Sequence, residues 1–180
     1  MTDDELMKKI AVGNNRAFQL LFDRHSGKVY GYARRLMGDQ QRAEDISQEV
    51  WMKIVKMAPQ YQPTAHFIAW IFTIVRNTSF NHLRNLKNLR DDTSEALLES
   101  DFKMDKSSVE EILVKEDDAK KVRQKIEELP SNQRILLTAW MTEDLSYEDL
   151  AREMDLSVSA VKSLLFRAKR TLEKSLKDAV

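Results

Sequence analysis

Twenty-eight consecutive residues, Asp91–Asp118, hold eleven acidic side chains, three basic ones and a single aromatic, Phe102. Such a stretch cannot bury enough apolar surface to repay the entropy of ordering it. It reads as a flexible acidic connection, with at most a short helix around Val109–Val114. The 180-residue chain is thereby divided into two small domains, residues 1–90 and 119–180, joined by a linker at 91–118. Charge follows the same division. Residues 1–90 carry 14 Lys/Arg against 8 Asp/Glu, and residues 119–180 carry 12 against 10, although the whole chain is neutral. Two basic or near-neutral blocks flanking an acidic strip say more than the net charge does.

Both blocks read as helices, so the expected class is all-α. Only four glycines and three prolines interrupt the chain, and no alternating strand pattern competes. Phe18, Leu21, Phe22 and His25 recur at helical spacing, Val29, Tyr32, Ala33 and Leu36 do so next, and Gly38-Asp39 ends the run. A second helix is expected over about Gln41–Met57, with Ile46, Val50, Ile54 and Met57 on one side, before Pro59 and Pro63 break the chain. A third begins near Ala65 and reaches about Leu89. Its first half, Phe67 to Val75, is apolar nearly all round, as befits a helix at the centre of a domain. Phe67, Trp70 and Phe72 are accordingly read as core rather than as wedges into DNA. The second half is amphipathic and basic.

The C-terminal block carries the sharper motif. Helices are expected over about Ala119–Leu129, ending before Pro130, and over Ser131–Met141. Ser146-Tyr-Glu-Asp149 is a capping box that opens a short helix burying Leu150, Ala151 and Met154. Asp155-Leu156 makes a tight turn, and Ser157 caps a longer helix over about Val158–Leu176. Val158, Val161, Leu165, Ala168, Leu172 and Leu176 form its apolar stripe. Ser159, Lys162, Ser163, Phe166, Arg167, Lys169 and Arg170 lie largely off that stripe, and from Val158 to Lys177 six Lys/Arg oppose one Glu. A capped helix of this kind fits the DNA major groove, base edges at its start and phosphates along its basic side. The plain alternative is an amphipathic helix with a solvated basic face.

Other chemistries find no support. There is no cysteine, hence no disulfide or thiolate metal site. His25, His66 and His82 lack metal-ligand spacing, and no phosphate-binding Gly loop or nucleophile elbow is present. No catalytic residue, metal or cofactor is therefore expected. No secretory signal or span of roughly 20 apolar residues is read, so a cytoplasmic protein without membrane insertion is expected.

In the C-terminal block, Glu128-Leu-Pro-Ser-Asn-Gln-Arg134, Leu145–Met154, Val161-Lys-Ser163 and Arg167-Ala-Lys169 resemble region 4 of the extracytoplasmic-function sigma factors. In the N-terminal block, Phe18–Arg24 resembles the opening helix of that family's region 2. Ala43–Val50 is similar to its polymerase-binding segment, and Phe67–Asn77 with Asn81–Arg84 to its promoter −10 helix. The motifs occur in family order on either side of the acidic strip.

The resemblance implies a transcription initiation factor, not an enzyme. It would bind core RNA polymerase through the β′ and β subunits, recognise −10 and −35 promoter DNA, help open the duplex, and be held inactive by an anti-sigma factor. Asp45, Gln48, Glu49 and Met52 share a side of the second helix, away from Ile46, Val50 and Ile54, and the family docks this side on a β′ coiled coil. Along the third helix Thr73, Arg76, Asn77, Phe80, Asn81, Arg84 and Lys87 form one stripe suited to phosphates, base edges and an unpaired base. The family sets a flipped −10 base against the preceding loop, here about Tyr61–His66. Ser157, Ser159, Lys162, Ser163, Phe166, Arg167, Lys169 and Arg170 are the expected −35 contacts. Departures from the family pattern fall here: Leu164 stands where a basic phosphate contact is common, Ala160 where Thr is frequent, and Asp155 where the turn often has Gly.

Two rivals remain at this point. A dimeric helix-turn-helix regulator would need no polymerase and would use the N-terminal motifs as a dimerisation or sensor domain, against which the segments Ala43–Val50 and Phe67–Arg84 argue. A protein-binding antagonist of a sigma factor would not need the basic cluster on the last helix.

Overall fold

The computed structural model describes residues 1–63, 66–85, 119–143 and 145–178. Among these residues there are eight α-helices, one 3₁₀ turn and no strand. The acidic strip, the short helix expected near Val109–Val114, and Lys87 lie outside the described residues.

The first helix, α1 (Asp3–Ile10), was not anticipated. Its start is nonetheless written locally: Thr2 Oγ1 accepts from Glu5 N–H (3.2 Å) while Glu5 returns a carboxylate to Thr2 N–H (2.8 Å). It buries Leu6, Met7 and Ile10. Gly13, at φ 82°, turns the chain into α2 (Asn15–Met37), which Asn14 caps through Ala17 N–H (2.9 Å). The two apolar stretches read along Phe18–Leu36 are one continuous helix. Gly38 closes it in the left-handed region at φ 68°, its N–H on Arg34 O (2.9 Å). Asp39 then caps α3 (Gln40–Met57) through Arg42 N–H (2.8 Å). The 3₁₀ turn Ala58–Gln60 follows, and α4 (Phe67–Asn85) begins after it.

Helices α1 and α3 pack on α2, and both α1 and α3 touch the 3₁₀ turn. Leu21, Val29, Leu36, Ile46, Val50, Ile54, Ile71 and Val75 are wholly enclosed. Tyr32 and Phe72 bring α2 to α4 with ring centroids 4.7 Å apart. Lys53 joins α3 to α4 through Thr78 Oγ1 (2.9 Å). Each fully buried Leu, Ile or Val contributes about 1.5–3 kcal/mol of transfer free energy.

The chain forms two compact units, Met1–Ser79 and Phe80–Val180. In the second unit α8 (Val158–Lys177) is the hub, in contact with α5 (Ala119–Glu127), α6 (Ser131–Glu143) and α7 (Tyr147–Met154). The motif Glu128–Arg134 proves to be a corner: Arg134 Nη1 donates to the carbonyls of Glu127 and Leu129 (3.0 Å each), satisfying two acceptors that the end of α5 leaves open. From Asn132 to Trp140 every residue of α6 is buried. No helix among the described residues is long and apolar enough to cross a membrane.

Candidate functional surfaces

Three surfaces collect the expected site residues. On α3, Ala43, Ile46, Val50 and Ile54 face the core, so the opposite side is outward by helical geometry. Asp45 and Gln48 are exposed, Glu49 is half-buried, and Met52 is 61% exposed, the highest value among the large apolar side chains of this helix. Glu49 forms an ion pair with Lys53 one turn on (2.7 Å). Beside this side, α2 and α3 enclose an open groove of about 500 Å³ lined by Phe22, Ser26, Tyr30, Gln48, Trp51 and Met52. Its aromatic floor is held by Trp51, which is 5.0 Å from Phe22 and edge-on to Phe18 at 6.0 Å. A carboxylate, an amide and a thioether beside an aromatic groove can take a basic helix that carries an apolar anchor.

The stripe expected on α4 divides in two. Asn77, Asn81 and Arg84 are exposed and Thr73 is half-buried. Arg76 and Phe80 are only 2% and 1% exposed, which corrects the expectation that both face outward. The cause is rotational: this helix buries Ile71, Ile74, Val75, Thr78, Ser79 and Leu83, and Arg76 and Phe80 belong to that arc. Thr73 Oγ1 is turned to Ala69 O (3.1 Å), and Arg84 donates to the Glu153 carbonyl (2.7 Å). Tyr61 is half-buried, its hydroxyl donating to Asp4 Oδ1 (2.7 Å). Burial first, and then the Asp4 carboxylate, push its phenol well above the usual tyrosine range. Its ring stands edge-on to Trp70 (4.8 Å) and Phe67 (5.9 Å). Phe67 is buried as expected, whereas Trp70 and Phe72 are only half-buried.

The third surface is the outer side of α8. Ser157 caps the helix, its Oγ accepting from Ala160 N–H (3.0 Å), and Ser146 caps α7 through Asp149 N–H (3.1 Å). The Ser146 hydroxyl also donates to the Asp149 carboxylate (2.6 Å), and with Arg152 nearby this holds Asp149 below the usual carboxylate range. Between the two helices Asp155 takes φ 56°, ψ 46°, the left-handed turn that Gly would adopt without strain. Ser157, Ser159 and Arg170 are exposed; Lys162, Ser163, Phe166, Arg167 and Lys169 are half-buried. Lys162 lies over the Tyr147 ring (5.6 Å) and Arg170 over Phe166 (5.7 Å). Leu164 and Ala160 are 1% and 6% exposed. Leu164 therefore stands not as a missing phosphate contact on the outer face but as a core residue beside Val161 and Leu165.

Two structural elements beside these surfaces escaped the sequence reading. One is α1, whose Thr2-x-x-Glu5 capping box was a usable signal. The other is the Asp4–Tyr61 bond, which spans 57 positions and has no local signature.

With these surfaces defined, comparison with known proteins gives a consistent result. Residues 21–88 match the family model described as Sigma-70 region 2, and residues 119–172 match that described as Sigma-70, region 4. The RNA polymerase sigma-H factor of Pseudomonas aeruginosa is 31% identical over 180 residues, covering 97% of this chain and 93% of that protein. The ECF RNA polymerase sigma-E factor of Escherichia coli K12 is 29% identical over 188 residues, covering 100% of this chain and 97% of that protein. Among solved structures, CnrH in complex with the cytosolic domain of CnrY shares the fold with a TM-score of 0.53 at 22% identity, covering 99% of each chain. The sigma factor RpoE in complex with the anti-sigma factor NepR, from Bartonella quintana, does so with a TM-score of 0.54 at 22% identity, covering 89% of this chain and 96% of that one.

Proposed function

This chain belongs to the sigma-70 family, among its extracytoplasmic-function sigma factors, and from that membership we propose how its surfaces share the work of starting transcription. It is an alternative sigma factor. The outer side of α3, with Asp45, Gln48, Glu49 and Met52, docks on core RNA polymerase, and the adjoining aromatic groove receives an apolar side chain of the same partner. The exposed stripe of α4 serves the −10 element: Asn77 and Asn81 offer amides to base edges of the unpaired strand, and Arg84 exchanges its carbonyl partner for a phosphate. Helix α8 serves the −35 element. Ser157, Ser159, Lys162 and Ser163 lie at its groove-entering end, and Phe166, Arg167, Lys169 and Arg170 further along, toward a thymine methyl and phosphates.

The observation that carries this reading is the division of faces. Helices α3 and α8, one in each matched segment, turn an apolar side inward and keep their own polar and basic side chains out of the core. The protein works by binding and performs no covalent step. It acts in the cytoplasm, where its polymerase transcribes, and it is held inactive by an anti-sigma factor, a reading supported by the anti-sigma factor NepR bound to one of its structural neighbours.

Run-off transcription from a promoter library, with purified protein and core polymerase, tests the reading. Promoter-specific transcripts that depend on this chain are expected. Duplex binding without polymerase, and no transcripts, would point instead to a stand-alone regulator.

A further inference from the structure

Helix α1 lies outside the residues matched to region 2, which begin at 21, yet two of the three carboxylates of its first turn, Asp3 and Asp4, are committed to the neighbourhood of α4. Asp4 Oδ1 accepts from Tyr61 Oη (2.7 Å). Asp3 Oδ2 pairs with Nε2 of the buried His25 (2.9 Å), and Asp3 Oδ1 with Arg24. Tyr61 and His25 then meet the same ring. The centroid of Phe67, in the first turn of α4, is 5.9 Å from Tyr61 and 5.3 Å from His25, and Tyr61 also closes on Trp70 at 4.8 Å. The helix itself is fixed by its capping box and by packing on α2 and on the 3₁₀ turn just before Tyr61. A phenol donating to a carboxylate makes a charge-assisted bond, stronger than a neutral pair.

We propose that α1 is a positioning element for −10 recognition and that Asp4 is its positioning residue, holding the Tyr61 ring against Phe67 and Trp70 so that the start of α4 is set for DNA. The proposal rests on the assignment of α4 to the −10 element. Without the carboxylate the Tyr61 hydroxyl loses its anchor, and the edge-on contacts to Trp70 and Phe67 are left to packing alone. Asp3 acts in parallel through His25, whose ring meets Phe67 as well.

The test uses the full chain bound to core polymerase. The probe is a labelled single-stranded non-template oligonucleotide covering the −10 element of a promoter recovered by run-off transcription. Its affinity is read by fluorescence anisotropy, alongside core affinity and a thermal melt, for Asp4→Ala, Asp4→Asn and Asn77→Ala. Loss of one charge-assisted hydrogen bond predicts that Asp4→Ala weakens oligonucleotide binding by about 3- to 10-fold. Core affinity should not change, and Asp4→Asn, which can still accept from Tyr61, should bind within about twofold of the parent. A lower melting temperature with unchanged oligonucleotide affinity would show α1 to be a stabilising helix only, and would overturn the proposal. So would an equal loss of core affinity. Asn77→Ala separates the two levels: if it weakens binding and Asp4→Ala does not, the α1 proposal alone fails, and if neither weakens binding, the −10 assignment fails with it.

Discussion

Asp155 offers a quantitative test of how the helix-turn-helix is built. It ends α7 at φ 56°, ψ 46°, and both its own N–H and that of Leu156 (2.9 Å) turn back to Ala151 O. Left-handed backbone costs an L-residue about 1–2 kcal/mol, and Asp less than most because its short side chain tolerates that region. Glycine removes the penalty but gives back about 0.5–1 kcal/mol as extra freedom of the unfolded chain. The side chain is exposed, so packing adds little to the comparison. Asp155→Gly should thus raise stability by up to about 0.5 kcal/mol, and Asp155→Asn should change it by less than about 0.5 kcal/mol. Asp155→Ala should lower it by about 0.5–1 kcal/mol, and Asp155→Val, β-branched, by about 1–2 kcal/mol. For a unit of this size 1 kcal/mol moves the melting point by about 4–8 °C, so Gly and Val should melt roughly 4–20 °C apart. Thermal melts of the full chain by circular dichroism give the ranking. An Asp155→Ala protein at least as stable as the parent, or a Val variant matching Gly, would refute the argument that backbone strain governs this turn.

The remaining predictions address the other surfaces. Asp45→Arg and Gln48→Ala should each weaken core polymerase binding by about tenfold in a pull-down titration while leaving the melting curve in place, since both side chains are exposed. Phe80→Ala should cost about 3–5 kcal/mol in urea unfolding because the ring is 1% exposed, whereas Asn77→Ala should stay within about 0.5 kcal/mol. In alkaline titration at 295 nm, Tyr61 should ionise above the usual tyrosine range, and that late contribution should disappear in Tyr61→Phe. The folded phenol lies above its unfolded value, so its contribution is complete below about pH 10 and is lost as pH rises toward the folded pKa. Asp4→Ala should advance that ionisation.

Much of the second unit was legible residue by residue. Ser146, Ser157 and the stripe Val161–Leu172 specify where α7 and α8 start and which way α8 turns, because caps and helical periodicity act within a few residues. Asp39, Gly38 and Pro59 did the same for the ends of α2 and α3. The Thr2-x-x-Glu5 box was equally local and could have been read as the start of α1. The outward side of α3 was legible too, since Ala43, Ile46, Val50 and Ile54 leave only one face for Asp45, Gln48 and Met52.

The sequence by itself thus determined the all-α class, the end of α2, the starts of α3, α7 and α8, and the choice of outer face on α3, all of which are short-range. Only the tertiary structure decided which polar residues leave solvent. Arg76 and Phe80 sit on the same α4 stripe as Asn77 and Asn81, and periodicity cannot say where along that arc the core ends. Asn132, Gln133, Arg134 and Thr138 read as polar, yet they lie within a helix enclosed on every side. Leu164 could have faced DNA or the core, and packing against its neighbours set it inside. The Asp4–Tyr61 bond closes a long loop of chain, so nothing near either residue announces it. Burial and long-range hydrogen bonds are properties of the assembled unit, which is why the candidate DNA surface was clear in outline from the sequence but its membership was decided by the fold.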